Sequence, residues 1–327
     1  MTQVRLSYAY GTSSQPLLGM TIGEKFDQAC QQYAEQDAVV SVHQNVRLSY
    51  KQLQDQVNAF ACSLLQLGLG KGDRIAIWSP NCVEWTITQF AAFKAGMILV
   101  NLNPAYKSSE LEYVLNKVSC KALVIAPQFK SSNYQDILTK IAPEITQSTD
   151  KLLSSQKLPH LKHIIKIDHE QHSGIHRFAD LLPEPTAVQL DQLHAIAADL
   201  QFDETINIQF TSGTTGNPKG TMLTHNNILN NGYFVGEAIH LTPQDRVCIS
   251  VPLFHCFGMV MGNLACITHG STMVYPSAVF NPLDTLKTIQ QEKCTAAYGV
   301  PTMFIAMLEN EQFDEFDLSS LRTGIMP

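Results

Sequence analysis

The chain has 327 residues, which is enough for one large domain or two ordinary ones. Apolar residues make up 45% and charged residues 16% of the chain, a globular composition that excludes a disordered protein. With 22 basic and 29 acidic residues the net charge is −7, which excludes a general nucleic-acid binder or a protein held on anionic membranes by charge.

A capped helix is the first element that the sequence predicts. Ser49 and Gln52 have the spacing of a capping box, and Gly68 and Gly70 are expected to end the helix. The apolar residues between them recur at helical spacing: Leu53, Val57, Phe60, Ala61 and Leu64.

Buried strands and helices then alternate. The expected strands are "RIAIW" (residues 74–78), "ILVNLNP" and "KALVIAP", and the helices between them are "NCVEWTITQFAAFKAG" and "SSELEYVLNKVS". Ser109 and Glu112 are expected to form the capping box of the second helix. The stretch from about residue 128 to 200 is less regular and contains one clear strand, "HIIKID".

The alternation resumes at Thr205. The expected strands are "INIQF", "DRVCISVP", "STMVYP", "AAYGVP" and the start of "LRTGIMP"; the expected helices are "THNNILNNGYFVGEAI", "GMVMGNLACITHG", "NPLDTLKTIQQEKC" and "TMFIAMLENE". This alternation requires right-handed crossovers and a mostly parallel sheet. We therefore expect an α/β fold with two mostly parallel β-sheet subdomains flanked by helices, at about residues 45–200 and 205–327.

The stretch "FTSGTTGNPKG" (residues 210–220) suits neither a strand interior nor a helix interior. Its glycines allow successive backbone N–H groups to turn toward one point and form an anion nest. Serine and threonine hydroxyls add donors, Lys219 adds a positive charge, and Pro218 stiffens the loop. A flexible surface loop is the alternative, but this density of donors beside a buried strand favours a polyphosphate site.

The glycine-rich stretch is not a Walker A loop, G-x-x-x-x-G-K-[ST], because Gly216 is followed by Asn217, Pro218 and Lys219. It also does not match the dinucleotide fingerprint G-x-G-x-x-G. "TSGTTGNPKG" instead resembles the signature of the AMP-forming acyl-CoA synthetases, in the adenylate-forming superfamily that includes firefly luciferase. The resemblance extends to "LSYKQL", "GLGKGDRIAIWSPNCVEW", "FAAFKAGMILVNLNPAY", "VPLFHCFGMV" and "YGVPTMF". It covers nearly the whole chain, is most marked for fatty-acyl and medium-chain acyl synthetases, and implies the family's large N-terminal domain.

The resemblance implies that ATP and a carboxylic acid, a medium- to long-chain fatty acid, give an acyl-adenylate and pyrophosphate, after which coenzyme A displaces AMP. Mg²⁺ would neutralise phosphate charge. The residues implied to hold the ATP phosphates are Thr211, Ser212, Gly213, Thr214, Thr215, Gly216 and Lys219. Lys219 and His255 are the implied catalytic residues, with His255 beside the reacting carboxylate. The acyl pocket is expected to include His255, Met259, Gly299, Val300 and Met303.

Two other groups of residues suggest chemistry less strongly. His255 and Cys256 could form a thiol–imidazole pair, but neighbouring residues on a strand point to opposite faces, which favours a buried, inert Cys256. "DHEQHSGIH" carries His169, His172 and His176 without an H-E-x-x-H pattern, and a glycine interrupts any helix there. A solvated loop is favoured over a metal site, and the sequence identifies no metal ligand.

The resemblance also implies later blocks that these 327 residues do not contain: a Tyr-Gly-x-Thr-Glu run, a ribose-binding aspartate, a hinge, and a small C-terminal lid with a catalytic lysine. We therefore expect an incomplete N-terminal domain that by itself binds ATP weakly and makes no acyl-CoA at a useful rate. A non-catalytic nucleotide- or acyl-binding module is the alternative. The strand edge at residues 322–326 is expected to favour association with another chain.

The cellular location is expected to be cytoplasmic. The first residues show no signal-peptide pattern, no apolar run is long enough to span a membrane, and the eight cysteines are scattered singly. These cysteines are expected to be reduced and largely buried.

Overall fold

The computed structural model describes residues 15–148, 150–211 and 218–327. The strands in these ranges are β1 (Asp37–Ser41), β2 (Val46–Ser49), β3 (Arg74–Trp78), β4 (Ile98–Asn101), β5 (Ala122–Ile125), β6 (Gln128–Phe129), β7 (Ser132–Asn133), β8 (His163–Lys166), β9 (His176–Arg177), β10 (Thr205–Thr211), β11 (Lys219–Thr224), β12 (Arg246–Ile249), β13 (Thr272–Tyr275), β14 (Ala296–Tyr298) and β15 (Thr323–Ile325). The α-helices are α1 (Ile22–Gln32), α2 (Tyr50–Gln66), α3 (Val83–Lys94), α4 (Ser108–Lys117), α5 (Tyr134–Ile141), α6 (Ala187–Asp199), α7 (His225–Ala238), α8 (Ala265–His269), α9 (Pro282–Gln291) and α10 (Pro301–Leu308). The remaining helical segments are a π-helix, Phe257–Leu264, and three 3-10 turns, Pro143–Gln147, Phe178–Leu181 and Phe313–Glu315.

The strands form two large sheets and one small hairpin. The first sheet has the order β11-β10-β4-β3-β5-β8-β9, and the second has the order β15-β14-β12-β13-β1-β2. Pairing within them is parallel except for β10 with β11 and β1 with β2. The predicted α/β fold with two mostly parallel sheets flanked by helices is therefore confirmed.

Each large sheet combines strands from both predicted ranges. β1 and β2 join the sheet of the late strands, whereas β10 and β11 join the sheet of the early strands. The predicted ranges 45–200 and 205–327 therefore do not coincide with the two sheets. As a division of the chain into subdomains they stay a prediction.

The first sheet has a separate core on each face. Along β3, Ile75 and Ile77 pack in the core that includes α2 and α3, and Ala76 and Trp78 pack in the core that includes α4 and α5. Alternate side chains of a strand point to opposite faces, so a strand buried on both faces needs an unbroken apolar run. Trp78 stacks on Tyr134 of α5 with 3.5 Å between ring centroids.

Local signals set the start of α2 as predicted, but not that of α4. Gln52 N donates to Ser49 Oγ at 3.2 Å and Ser49 N donates to Gln52 Oε1 at 2.9 Å, which confirms the capping box. The box predicted between Ser109 and Glu112 is wrong, because both residues lie inside α4. The helix begins at Ser108, and the carboxylate of Glu110 accepts the N–H of Lys107 at 3.2 Å.

The helix predicted from "GMVMGNLACITHG" begins as a π-helix and continues as α8. A Cβ atom on Gly258 would lie 2.4 Å from the carbonyl oxygen of Pro252. Only glycine therefore lets this helix start directly against the preceding turn. π-helical turns are frequent at functional sites, and this one follows His255.

Candidate functional site

The glycine-rich stretch joins β10 to β11, and the two strands form a β-hairpin. β10 and β11 pair antiparallel, and the register ends with Thr211 opposite Lys219. The sequence predicted a loop leading directly into a helix near His225, and the structure places β11 between the two. β11 is an edge strand with four exposed residues, so it lacks the apolar pattern by which a buried strand is recognised. α7 begins at His225 as predicted.

Thr211 and Lys219 flank the base of the hairpin tip, and both are exposed. Among the described residues, no carboxylate pairs with the ammonium group of Lys219. Its charge is therefore available to an anion at the tip. The other residues implied to bind phosphate lie outside the described residues, and their role stays a prediction: Ser212, Gly213, Thr214, Thr215 and Gly216.

His255 lies in the turn between β12 and the π-helix, with its side chain exposed. Its Nδ1 accepts the backbone N–H of Phe257 at 3.2 Å. Because Nδ1 is the acceptor, the neutral imidazole carries its proton on Nε2. His255 thus presents an N–H donor, which suits the orientation of a carboxylate oxygen.

Cys256 does contact His255, contrary to the prediction from strand geometry. His255 lies in a bend and Cys256 at the start of the following helix, so neither residue is on a strand, and Cys256 Sγ lies 3.6 Å from His255 Nδ1. Partial burial raises the pKa of the Cys256 thiol, so the thiol stays protonated at neutral pH. A thiolate is the reactive form of cysteine, and this environment does not favour one.

Two buried asparagines connect the His255 turn with the strand of the glycine-rich hairpin. Asn207 of β10 donates to Asn101 Oδ1 at 3.0 Å and to the carbonyl oxygen of Leu99 at 2.9 Å. Asn101 of β4 donates to the carbonyl oxygen of Phe254 at 3.1 Å, immediately before His255. The strand pair β4–β10 therefore holds both the hairpin and the imidazole turn.

Sequence reasoning did not single out Asn101 or Asn207. The sequence feature that could have identified them is an asparagine within an otherwise apolar strand, in "ILVN" and in "INIQF". Both side chains are almost completely buried, and a buried amide requires hydrogen-bond partners. The sequence alone does not name those partners, which lie 106 and 153 positions apart along the chain.

We expect Asn101→Ala to lower the free energy of unfolding by about 1–3 kcal/mol, because it removes the amide donor of the Phe254 carbonyl and one of the two acceptors of the Asn207 amide. Urea denaturation measures this loss. Asn103→Ala is the matched control: among the described residues, the Asn103 side chain bonds only to the N–H of the exposed Ala105, and we expect a loss of about 0.5 kcal/mol or less. Equal losses in both variants would contradict the role given to Asn101.

Of the residues predicted for the acyl pocket, Met303 lines an apolar cavity of about 140 Å³ together with Phe254, the neighbour of His255. Met259 is buried and its sulfur lies 3.4 Å from Asn101 Nδ2. Gly299 and Val300 connect β14 with α10 and do not line this cavity. Their role in an acyl pocket stays a prediction.

The histidines of "DHEQHSGIH" separate into different contacts. His172 Nε2 lies 2.8 Å from Asp168 Oδ2, and His176 Nε2 lies 3.3 Å from His163 Nδ1 on the neighbouring strand. Burial lowers the pKa of His176 to about 4, so its ring is neutral at pH 7. The segment thus has defined contacts within the fold, and it is less solvated than the sequence suggests.

None of the helices in residues 15–148, 150–211 and 218–327 is both long enough and apolar enough to cross a membrane. All eight cysteines are free, and seven of them are buried, as the sequence predicts.

Comparisons with known proteins show the family to which the chain belongs. The family model of the AMP-binding enzymes matches residues 26–326. The putative acyl-CoA synthetase YngI of Bacillus subtilis (strain 168) is 43% identical over 310 residues, covering 95% of this chain and 56% of YngI. The mitochondrial medium-chain acyl-CoA ligase ACSF2 of Macaca fascicularis is 42% identical over 325 residues, covering 98% of this chain and 53% of the ligase.

A solved structure extends the likeness to the whole described fold. The anthranilate CoA ligase AuaEII, in complex with anthranoyl-AMP, superposes with a TM-score of 0.80 at 25% identity, covering 95% of this chain and 55% of that chain. The chain thus spans about half the length of the relatives that it matches. The match of the family model over almost all of its residues shows that the chain belongs to the AMP-binding enzyme family.

Proposed function

We propose that the protein activates a carboxylic acid with ATP and passes the acyl group to coenzyme A. In the first step a carboxylate oxygen attacks the α-phosphorus, the α–β bridging bond breaks, and pyrophosphate leaves. In the second step the sulfur of coenzyme A attacks the acyl carbon and AMP leaves. The observation that carries the proposal is the attachment of the glycine-rich hairpin and the His255 turn to one strand pair, β4–β10.

Each part of this arrangement has a chemical task in the proposed reaction. Lys219 and Thr211 would contact the β- and γ-phosphates together with the backbone of the hairpin tip. His255 would donate its Nε2–H to the carboxylate and hold it in line with the α-phosphorus. In-line phosphoryl and adenylyl transfer depends mainly on positioning and charge stabilisation, which these groups supply.

Coenzyme A is the proposed co-substrate and Mg²⁺ the proposed cofactor. In the described parts of the chain, no group of three or more His, Cys, Asp or Glu side chains could hold a metal ion. These residues therefore do not form a protein cage for Mg²⁺. Magnesium bound to nucleotides commonly keeps several waters and takes phosphate oxygens as ligands.

We propose that the acid is a medium-chain fatty acid. The proposal rests on two relatives, 42% and 40% identical to the chain, that are named medium-chain acyl-CoA ligases. The apolar cavity beside Phe254 and Met303 supports an apolar acyl group. The cytoplasmic location stays a proposal, and the relative ACSF2 is named as mitochondrial. The association with another chain through the edge strand β15 also stays a proposal.

Acid-dependent exchange between pyrophosphate and ATP tests the first step. We expect the natural protein that contains these residues to exchange labelled pyrophosphate into ATP when octanoate is present, and to form octanoyl-CoA when coenzyme A is added. If the protein bound ATP but catalysed no exchange with any of the fatty acids from octanoate to palmitate, the proposal would be contradicted. That result would support a binding module without turnover.

Lys219→Ala is expected to weaken ATP binding by about tenfold to a hundredfold, because a charge-assisted hydrogen bond contributes about 1.5–3 kcal/mol. Isothermal calorimetry measures the affinity. Lys219 is exposed, so the melting temperature should stay the same. Lys287→Ala, an exposed lysine on α9, is the matched control; equal ATP affinity in both variants would exclude the phosphate contact.

A further inference from the structure

The side-chain amide of Asn101 holds the segment that carries His255 from both ends. Its Nδ2 lies 3.1 Å from the carbonyl oxygen of Phe254 and 3.4 Å from the sulfur of Met259. Phe254 immediately precedes His255, and Met259 lies in the π-helix that follows it. The backbone N–H of Met259 in turn donates to the carbonyl oxygen of His255 at 3.0 Å. A single buried NH₂ group therefore fixes the residues on both sides of the imidazole.

Backbone carbonyl groups determine the direction of these hydrogen bonds. A carbonyl oxygen only accepts, so the NH₂ group of Asn101 must face Phe254. For the same reason the NH₂ group of Asn207 must face the carbonyl oxygen of Leu99, at 2.9 Å. The oxygen of Asn101 then faces the NH₂ group of Asn207, at 3.0 Å. Asn207 thus keeps the donor group of Asn101 directed at the segment before His255.

The amides on this face of β10 are incompletely satisfied. Asn207 is completely buried, and its Oδ1 has no partner among the described residues. Gln209, on the same face of β10 and opposite Asn101 in the strand register, has a buried Nε2 that also lacks a partner in the described parts of the chain. A partly satisfied polar network is less stable than an apolar core. Departures of this kind are expected at functional sites, and this one adjoins the residue proposed to hold the acid.

We propose that Asn101 is a positioning residue for the carboxylic acid and that Asn207 orients it. The inference rests on the proposed adenylation step, in which His255 donates Nε2–H to the reacting carboxylate. Both asparagine side chains are buried, so they act on the acid through the position of His255 and not by touching it. In-line attack requires close alignment, and a displacement of about 1 Å can slow a reaction about a hundredfold.

Asn101→Leu removes the donor at similar side-chain volume. In the natural protein that contains these residues, we expect the rate of pyrophosphate exchange at saturating octanoate and ATP to fall by about tenfold to a hundredfold. The ATP concentration that gives half of the maximal rate should change by less than about threefold, since the nucleotide contacts are untouched. Asn116→Leu is the matched control: Asn116 of α4 also donates to a backbone carbonyl, that of Lys157 at 2.8 Å, and its loss should leave the rate unchanged.

A second variant tests the orienting role and covers the case in which Asn101→Leu does not fold. Asn207→Leu leaves the amide of Asn101 in place but removes the group that orients it, and it also removes the unsatisfied Oδ1. We expect the pyrophosphate exchange rate to fall by about threefold to tenfold, with the same small change in the ATP requirement. A rate equal to that of the native protein would overturn the role of the asparagine pair.

Hydrogen–deuterium exchange measures the position of the segment without any substrate. The N–H groups of Gly258 and Met259 bond to the carbonyl oxygen of His255, and both variants should take up deuterium faster than the native protein at residues 255–259. Asn116→Leu should not.

The two measurements separate this inference from the ligase reaction. If the native protein exchanged no pyrophosphate, the proposed reaction would fail, and deuterium uptake alone would decide whether the pair holds His255. Unchanged deuterium uptake at residues 255–259 would overturn the inference. An equal loss of ATP affinity and of pyrophosphate exchange would also overturn it, because the pair would then support the whole site and not the acid.

Discussion

His255→Ala is expected to slow adenylate formation by about a hundred- to a thousandfold, the usual cost of losing one preorganised hydrogen-bond donor at a reacting group. The Phe257 N–H occupies Nδ1, so Nε2–H is the donor that the substitution removes. ATP affinity should change by less than about threefold, since the proposed contact is with the acid and not with the nucleotide. Pyrophosphate exchange at saturating ATP, together with calorimetry of ATP binding, separates the two quantities.

Two further variants distinguish this role from a structural one. His255→Gln keeps an N–H donor near the position of Nε2 and should recover part of the exchange rate. His194→Ala, at an exposed histidine of α6, should leave the rate unchanged. If His255→Ala lowered ATP affinity and exchange equally, or mainly lowered the melting temperature, the side chain would be supporting the fold and not the acid.

The second large effect concerns stability at acidic pH and depends on His225. Its side chain is fully buried, and Nδ1 accepts the N–H of Ile22 at 3.1 Å. Protonation would turn this acceptor into a second donor and remove the hydrogen bond. Burial lowers the pKa of His225 from 6.5 to about 4, so the buried ring remains neutral where an exposed histidine takes up a proton.

The sign of the pH dependence follows from this shift. Between pH 6.5 and about 4 the unfolded chain binds a proton at His225 that the folded chain does not, so stability is complete above this range and falls with decreasing pH. We expect protonation of His225 to lower the free energy of unfolding by about 3 kcal/mol across this pH range, since each pKa unit corresponds to about 1.36 kcal/mol. Urea denaturation at a series of pH values measures the loss.

His225→Asn isolates this contribution from the other histidines. Asparagine keeps an acceptor near the position of Nδ1 but does not titrate, so the variant should lose less stability between pH 6.5 and 4 than the native chain. His194→Asn, at the exposed position on α6, should reproduce the native curve. If the unfolding free energies of the native chain and of His225→Asn changed with pH in parallel, His225 would have the same pKa in the folded and unfolded states.

The local features of this protein can be predicted from its sequence. The capping box at Ser49, the unbroken apolar run of β3 and the start of α7 at His225 each depend on residues within a few positions of one another. The signature "TSGTTGNPKG" is equally local, and it was enough to indicate the family. Such a feature can be predicted from one segment because the residues that cause it all lie within that segment.

The pairing of distant segments is visible only in the folded chain. Nothing near β1 indicates that it pairs with β13, more than 200 positions later, and nothing near β11 marks this exposed edge as a strand. The hydrogen bonds of Asn101 to Asn207 and to Phe254 join residues 106 and 153 positions apart. These features depend on long-range packing and hydrogen bonds, whose partners no local pattern specifies.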